Sequence, residues 1–336
     1  MRQEWLARFL VLLLLAIVIA VPAWSWWENS QATVVHARMA ETGGWAPENL
    51  SVAAGKPLHL RLTSDDVTHS FAVGQSDRPA VDVLPGEMTE VTLIFDRPGK
   101  YTFYCTRWCS INHWRMRGVI EVTDSQAGEA ENTSEVVESP LYIALGIDID
   151  ATPQAEVLPG LQPSALRGAL LNLVIPDTYA SRDYYLSHTP VQLWQSLRAE
   201  SAYQSLTDQD LWDLTAWVWA LKATSEERNE GKQLYSGNCA ACHGEGGAGN
   251  GVFAILLAQP GAEETAGMQS GQTTTQPVDF TEPVHMLAVS PARLQGKILR
   301  GGMGTGMPYW GPIFTEDQMW ALVAYLWTFQ FQMEEP

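Results

Sequence analysis

The sequence has few cysteines, few basic residues and only one long hydrophobic run. Its 336 residues include four cysteines, too few for a disulfide scaffold, and 20 basic against 38 acidic side chains, a net charge of −18. A chain this acidic lacks the basic face that phosphate binding requires, which excludes nucleic acid as a partner. With 46% hydrophobic and 17% charged residues the chain is not disordered, and its length predicts two or three domains.

The acidic excess lies almost entirely after residue 123. Residues 1–123 have a net charge of −1, whereas residues 141–224 and 225–336 have −5 and −7. Between them, residues 124–140 contain five acids, no base and no aromatic residue. This stretch is predicted to be a flexible, self-repelling linker, so the changes in charge also predict domain boundaries.

The one long hydrophobic run lies near the N-terminus, from Phe9 to Val21. With its flanks it reaches about 19 residues, close to the length that spans a bilayer as a helix. Tryptophans, which favour membrane interfaces, flank it at Trp5, Trp24, Trp26 and Trp27. We predict an uncleaved transmembrane anchor over residues 1–28, with a cleaved signal peptide as the alternative. Both interpretations place the rest of the chain outside the cytoplasm.

Residues 29–123 alternate in hydrophobicity with period two. Leu58, Leu60 and Leu62 alternate with polar residues, and the pattern returns around Leu93. Short strands of this kind, separated by glycine and proline, predict a β-sandwich or barrel.

Four metal-binding side chains lie within twelve residues at the end of this module. They are spaced Cys105-x3-Cys109-x3-His113-x2-Met116, and His69 lies upstream just before a predicted strand. Thiolate, imidazole and thioether ligands together select copper or zinc. A mononuclear blue-copper site needs one cysteine, so a second thiolate favours two bridged copper ions. A plain disulfide or a copper-delivering thiol pair is the alternative, but neither explains the histidine and methionine.

A second chemical motif follows at Cys239-x-x-Cys242-His243, the pattern of covalent haem attachment. Two thioethers would tether the porphyrin, and His243 would be an axial iron ligand. Met307, in a loop rich in glycine and proline, is predicted as the second axial ligand, with Met303 as the runner-up.

Two helices are predicted to frame the haem motif. The first begins at a Ser225 cap and leads into the motif. The second begins after Thr315, runs from Glu316 to Thr328, and has apolar residues at helical spacing.

Several motifs of the first module resemble cytochrome c oxidase subunit II. They are Thr63–Val73, Leu84-Pro85-Gly86-Glu87, Arg97-Pro98-Gly99 and the loop Cys105–Met116. The resemblance implies a cupredoxin fold over residues 29–123 and the binuclear copper centre CuA. The ligands it implies are His69, Cys105, Cys109, His113, Met116 and the backbone carbonyl of Arg107. Many relatives have an acidic residue at position 107 that helps to bind magnesium; arginine cannot ligate a cation, so no magnesium is expected.

Residues 225–332 resemble class I cytochrome c, which implies an all-α domain over residues 225–336 with one covalently bound haem. The preceding stretch contains an internal repeat, or echo, of part of this domain's sequence. Thr207–Trp219 matches Thr315–Trp327 at an offset of 108 residues, with threonine, tryptophan, leucine and alanine in equivalent places. We therefore predict a haem-less cytochrome c-like helical domain over residues 141–224. A helical linker with similar amphipathic spacing is the alternative.

Together these resemblances imply an electron-transfer subunit, subunit II, of a membrane haem–copper terminal oxidase. Electrons would pass from the c-type haem to CuA and then to a catalytic subunit I, which would perform the oxygen chemistry. The expected partners are that subunit, a cytochrome or quinol-oxidising electron donor, and the membrane. The expected location is the bacterial cytoplasmic membrane, with one transmembrane pass and soluble domains on the periplasmic or extracellular side.

Two other functions fit the same sequence. The copper loop also resembles that of nitrous oxide reductase, so the chain could donate electrons to a nitric oxide or nitrous oxide reductase. The second alternative is not an electron-transfer function: the chain would be a copper-handling assembly protein with an attached cytochrome.

The charge distribution predicts a contact within the chain. The copper loop carries Arg107, Arg115 and Arg117, whereas the cytochrome end is acidic. We expect the two to dock transiently through opposite charges, with the linker setting their effective concentration.

Overall fold

The computed structural model describes residues 32–76, 78–110, 112–124, 139–257, 276–302 and 307–333. The predicted anchor, most of the predicted linker and Met303 lie outside these ranges. Within them, every helix is too short or too polar to cross a bilayer.

The first part of the described chain is a sandwich of two β-sheets. Its strands are β1 (Thr33–Ala37), β2 (Trp45–Ala46), β3 (Asn49–Ala53), β4 (Pro57–Ser64), β5 (His69–Val73), β6 (Val81–Val83), β7 (Thr89–Ile94), β8 (Gly99–Tyr104) and β9 (Arg117–Thr123). One sheet has the order β2-β1-β4-β7 and the other β3-β9-β8-β5-β6. The pairs β1–β4 and β3–β9 are parallel, and the remaining ladders are antiparallel.

The core between the sheets follows the predicted alternation. Leu58, Leu60 and Leu62 of β4 are buried, and each contributes about 1.5–3 kcal/mol of transfer free energy. Trp45 packs edge-on against Phe71 and Phe103, with ring centroids 5.7 and 5.6 Å away. The core therefore provides a rigid frame at the ends of β5, β8 and β9, where the metal-binding residues begin.

The rest of the described chain is helical. Its helices are α1 (Leu141–Ala144), α2 (Ala165–Leu170), α3 (Asp177–Ala180), α4 (Arg182–Ser187), α5 (Pro190–Ala199), α6 (Asp208–Ala220), α7 (Ser225–Asn238), α8 (Ala240–His243), α9 (Val252–Leu257), α10 (Pro283–Met286), α11 (Pro291–Arg300) and α12 (Glu316–Leu326).

The predicted helix ends need two corrections. The cap of α7 is Thr224 and not Ser225, because the Thr224 hydroxyl accepts from the Glu227 N–H while the Glu227 carboxylate accepts from the Thr224 N–H. The cap of α12 is Thr315 as predicted, but the α-helix ends at Leu326 and continues as a 3-10 turn over Trp327–Phe329. Such tightening is common at the last turn of a helix.

The two similar sequence segments each belong to a pair of crossing helices: α7 with α12, and α2 with α6. A Cβ on Gly231 of α7 would lie 2.0 Å from the Ala321 carbonyl oxygen of α12. A Cβ on Gly168 of α2 would lie 2.1 Å from the Asp213 carbonyl oxygen of α6. Asp213 and Ala321 are 108 residues apart, the offset of the sequence echo. We therefore propose that residues 141–224 are a second cytochrome c-like unit, since both helix pairs cross at a glycine against equivalent positions.

The two helical units share one hydrophobic core. Trp219 of α6 lies edge-on to Trp327, with ring centroids 6.1 Å apart, and the Val191 N–H donates to the Leu287 carbonyl at 3.1 Å. His188 stacks on Tyr184, with ring centroids 3.8 Å apart. A helical linker would not bury such contacts in a common core.

Candidate copper and haem sites

The predicted copper ligands come together at one end of the β-sandwich. His69 is the first residue of β5, one position later than the expected place before the strand. The other four lie in the loop from β8 to β9, which the Cys105 N–H closes by donating to the Met116 carbonyl at 3.1 Å. The indole N–H of Trp45 donates to the same carbonyl at 3.1 Å. The core of the sandwich thus holds both ends of the loop.

Short distances join the sulfur, nitrogen and carbonyl groups of the cluster. The Cys105 sulfur lies 3.9 Å from His69 Nδ1 and 3.3 Å from the Arg107 carbonyl oxygen. The Cys109 sulfur lies 3.6 Å from the Met116 sulfur. Ligand atoms of His69, Cys105 and Cys109 all lie within 4.8 Å of one another, and both cysteines are free thiols. The two cysteines are thus not joined by a disulfide in this structure.

Burial and unmet bonding capacity support a metal site. His69, Cys105, His113 and Met116 are at most 2% exposed. The His113 Nδ1 atom is buried, and no atom in the described residues hydrogen-bonds to it. A buried nitrogen without a partner is costly, and a metal ion would satisfy it. His69 is oriented by its other ring nitrogen, since Nε2 lies 2.7 Å from the Asp66 carboxylate.

The two thiols of the loop are electrostatically unequal. The Cys109 thiol, followed by the two imidazoles, holds the pKa of Cys105 far below its usual value despite burial. The Cys105 sulfur and burial together raise the pKa of Cys109. These shifts favour the thiolate form of Cys105, which is the form that soft metals bind.

The haem motif lies beside a cavity of about 600 Å³. Cys239, Cys242, His243 and Met307 all line it, together with apolar side chains that include Phe253, Val278, Phe280, Leu294, Ile298 and Trp310. A concave, largely apolar pocket of this volume is typical of a cofactor site. The runner-up ligand Met303 lies outside the described residues.

Local contacts prepare His243 as an iron ligand. Its Nδ1 lies 3.2 Å from the Val278 carbonyl oxygen, so Nδ1–H donates there and Nε2 is left for a metal. Phe280 stacks on the ring at 4.7 Å. Burial lowers the pKa of His243 and favours the neutral imidazole that iron binds.

The thiols of this motif differ from those of the copper loop. Burial raises the pKa of Cys239 to about 12, with a smaller effect from the Cys242 charge, and burial alone raises the pKa of Cys242 to about 11. Both cysteines line the haem cavity beside His243, where thioether attachment of a porphyrin would place them.

A segment that precedes the haem motif in the chain forms one wall of the haem cavity. Residues 149–153, which we call the strap, line the cavity directly. The Asp150 carboxylate accepts from Lys297 Nζ at 2.7 Å and from Arg300 Nη1 at 2.8 Å, both on α11. The Ala155 N–H donates to the Val284 carbonyl at 2.8 Å. The strap is therefore attached to two elements of the cytochrome domain.

The ion pairs of the strap make its stability depend on pH. The Arg300 guanidinium and then Lys297 hold the pKa of Asp150 well below its ordinary value of 3.8. A depressed carboxyl pKa adds stability above the unfolded pKa, and this is lost as the pH falls through the folded pKa. Because Asp150 is exposed, we expect Asp150→Asn to lower the free energy of unfolding by only about 0.5–1 kcal/mol at neutral pH.

Urea unfolding of the wild-type chain and of Asp150→Asn at several pH values measures the difference in their free energies of unfolding. It should stay constant from neutral pH to about pH 4 and vanish in stronger acid. A difference that persists in strong acid would mean that Asp150 contributes through packing and not through its charge.

The copper loop also forms part of the haem cavity. Trp108 and Trp114 line it on one side, and the Trp108 ring lies 5.4 Å from Phe253 of α9. No short-range sequence signal identifies the role of Trp108 in this wall, because its contact with Phe253 joins segments more than a hundred residues apart.

Several hydrogen bonds to backbone carbonyls join the sandwich to the cytochrome domain. The Gln75 N–H donates to the Ile313 carbonyl at 2.8 Å, and its side-chain amide donates to the Gly311 carbonyl at 2.8 Å. Arg117 Nη1 donates to the Tyr309 carbonyl at 3.1 Å, and its guanidinium lies 5.5 Å from the ring centre of Trp310. We call residues 74–75 and 117 with residues 309–313 the docking seam.

The contacts of the docking seam differ from the predicted charge attraction. Arg117 does reach the cytochrome domain, but its described contacts there are a carbonyl oxygen and aromatic rings instead of acidic side chains. Arg107 pairs with Asp82 of its own domain at 2.6 Å. Net charge describes the approach of two surfaces, whereas the contact itself depends on local donors and acceptors.

Comparisons with known proteins identify both domains. Residues 34–123 match the family model of the cytochrome c oxidase subunit II periplasmic domain, and residues 229–330 match that of cytochrome c. Two curated relatives, both named cytochrome c oxidase subunit 2 of Thermus thermophilus, are 37% identical over 81 residues. The match covers 24% of this chain and 59% and 48% of those relatives, so this chain spans about half their length.

One solved structure of similar kind is the periplasmic domain of subunit II of cytochrome oxidase from Bradyrhizobium japonicum. It has 25% sequence identity and a TM-score of 0.22, and the match covers 23% of this chain and 55% of that chain.

The β-sandwich is therefore a cupredoxin-like domain that matches the periplasmic domain of cytochrome c oxidase subunit II, and in this chain it is joined to a C-terminal cytochrome c domain. The chain's cofactors are accordingly copper, in the CuA centre, and haem c. The free, clustered thiols of the first site and the apolar cavity of the second fit these two groups.

Proposed function

We propose that this chain is subunit II of a membrane haem–copper terminal oxidase, an electron-transfer subunit that accepts electrons at its c-type haem and delivers them through CuA to a catalytic subunit. The observation that carries the proposal is the shared wall between the two sites. Trp108 and Trp114 of the copper loop line the same cavity as Cys239, Cys242 and His243. Two redox sites in direct contact within one chain serve transfer from one to the other.

In the copper site, the chain's own residues fix the geometry. We propose that Cys105, Cys109, His69 and His113 would hold two copper ions, with weaker contributions from Met116 and the Arg107 carbonyl. Copper bound there would supply a one-electron acceptor. The rigid β-frame behind the loop keeps these ligands in place in both oxidation states.

In the haem site, the chain supplies attachment, ligation and exclusion of water. Cys239 and Cys242 are the proposed thioether positions, and His243 and Met307 the proposed axial ligands. Histidine–methionine ligation raises the haem potential, as an electron carrier requires. The strap and the copper loop line part of the cavity and would shield that side of a bound porphyrin from water.

The location and partners follow from the same proposal. The β-sandwich and the cytochrome lie on the periplasmic side, beyond a single anchor over residues 1–28. A catalytic subunit of the oxidase accepts the electron from the copper loop, and a cytochrome or a quinol-oxidising complex reduces the haem. The proposed domains are 29–123, 141–224 and 225–336, with residues 124–140 as the linker.

Cofactor analysis of the full-length chain from membranes tests this proposal. We expect about two copper ions for each haem and a purple mixed-valence copper absorption. The chain should co-purify with a catalytic subunit that consumes oxygen when the haem is reduced. One copper ion per haem without the mixed-valence absorption would instead support a copper-handling protein. Co-purification with a subunit active only on nitric oxide would support the reductase alternative.

A further inference from the structure

Trp108 contacts both redox sites. It lies between Arg107 and Cys109 in the copper loop, and its ring centroid is 4.5 Å from the His113 imidazole. On the other side the ring lies 5.4 Å from Phe253 and faces the cavity lined by the haem motif. One side chain therefore packs against a proposed copper ligand and also forms part of the haem wall.

The docking seam holds this contact in place. Gly74 follows β5, and a Cβ there would lie 2.3 Å from the Pro312 carbonyl oxygen and 3.0 Å from Ile313 Cα. Both of these are backbone atoms, so neither can rotate away. The close approach brings the two hydrogen bonds of Gln75 within range of the cytochrome domain. Only glycine at position 74 permits this docked arrangement.

We propose that Trp108 is the positioning residue through which the electron passes from the haem cavity to the copper loop, and that Gly74 permits the docking which brings Trp108 to the haem. This inference rests on the proposed function. The transfer oxidises the haem iron by one electron and reduces the copper pair by one, and no proton moves. The Trp108 ring undergoes no net change.

The physical reason is the dependence of electron transfer on contact. Electrons cross packed atoms more readily than an empty gap, and the aromatic ring fills the space between Phe253 and His113. A leucine at position 108 would leave part of that space empty. A phenylalanine would keep an aromatic face towards His113, although a smaller one.

Time-resolved absorbance after photoreduction of the haem measures the transfer rate in the full-length chain. We expect Trp108→Leu to slow the oxidation of the haem by copper by about tenfold, or about 1.4 kcal/mol of activation free energy. Trp108→Phe should recover part of the rate. Phe253→Leu, which lies in the cytochrome domain and away from the copper ligands, should also slow transfer. Trp320→Leu, a tryptophan of α12 packed against Arg182, is the matched control and should leave the rate unchanged.

Docking is tested separately by a readout that needs no electron transfer. We expect the Gln75 amide to be protected from hydrogen exchange, because it donates to the Ile313 carbonyl. Gly74→Ala should expose this amide and slow the transfer, whereas Trp108→Leu should slow the transfer but leave the amide protected. Gly160→Ala, whose added Cβ would have its nearest neighbour at 3.9 Å, is the matched control.

The outcomes separate the inference from the function. Absence of a binuclear copper signal in the wild-type chain would overturn the proposed function. Wild-type transfer rates in both Trp108→Leu and Phe253→Leu, with both cofactors present, would overturn the role of Trp108. An unprotected Gln75 amide in the wild-type chain would overturn the docking role of Gly74.

Discussion

Cys105→Ser is expected to remove the binuclear copper centre and leave the haem in place. The Cys105 sulfur lies near His69 and the Arg107 carbonyl, and it is the thiol with the depressed pKa. Serine offers a hard oxygen that stays protonated, whereas copper in this setting requires soft thiolates. Copper should therefore fall from about two ions per haem to about one or none.

Metal analysis with the haem as internal standard, together with visible and electron paramagnetic resonance spectra, measures this loss. His59→Gln is the control, because His59 of β4 contacts Thr92 of β7, and both strands belong to the sheet that carries none of the proposed copper ligands. Two copper ions per haem with an unchanged mixed-valence signal in Cys105→Ser would contradict the ligand assignment. The electron should also remain on the haem in this variant, since its acceptor is gone.

Gly231→Ala is expected to destabilise the helical part of the chain strongly. The new Cβ would lie 2.0 Å from the Ala321 carbonyl oxygen and 2.9 Å from the Tyr325 Cβ, so α7 and α12 would have to separate. Overpacking of this kind costs about 3 kcal/mol or more. For a unit of this size, that loss lowers the melting temperature by roughly 6–12 °C.

The same helix offers a matched control. A Cβ on Gly237 would meet only open space, so Gly237→Ala should stabilise the helix by about 0.5–1 kcal/mol. Gly168→Ala should be as destabilising as Gly231→Ala, because its Cβ would lie 2.1 Å from the Asp213 carbonyl oxygen. Thermal denaturation followed by circular dichroism compares all three. A harmless Gly168→Ala would remove the main structural support for a duplicated cytochrome unit.

Features set by neighbouring residues are predictable from the sequence. The alternation of Leu58, Leu60 and Leu62 gives β4 its buried face, because successive side chains of a strand point to opposite sides. The copper loop is predictable because its ligands lie within twelve residues. The same kind of local pattern identifies Thr315 as a cap, whereas the predicted cap Ser225 lies one residue after the true one.

Features that depend on distant contacts are not predictable in this way. The parallel pairing of β1 with β4 depends on register across the sandwich, which alternation does not specify. The role of Gly74 depends on Pro312, more than two hundred residues away. In the sequence Trp108 is only a spacer between two cysteines, since its partner Phe253 belongs to another domain. The sign of the charges predicts that the domains meet but not which atoms touch.

The docking seam and the proposed iron ligand Met307 belong to one continuous segment. Tyr309, held by Arg117, lies two residues after Met307, and the Gly302 N–H donates to the Met307 carbonyl at 3.2 Å. If Met307 binds the haem iron, as we propose, docking and the iron–sulfur bond act on the same short segment and are expected to influence each other. We therefore expect an isolated cytochrome domain to have a different haem reduction potential from the intact chain.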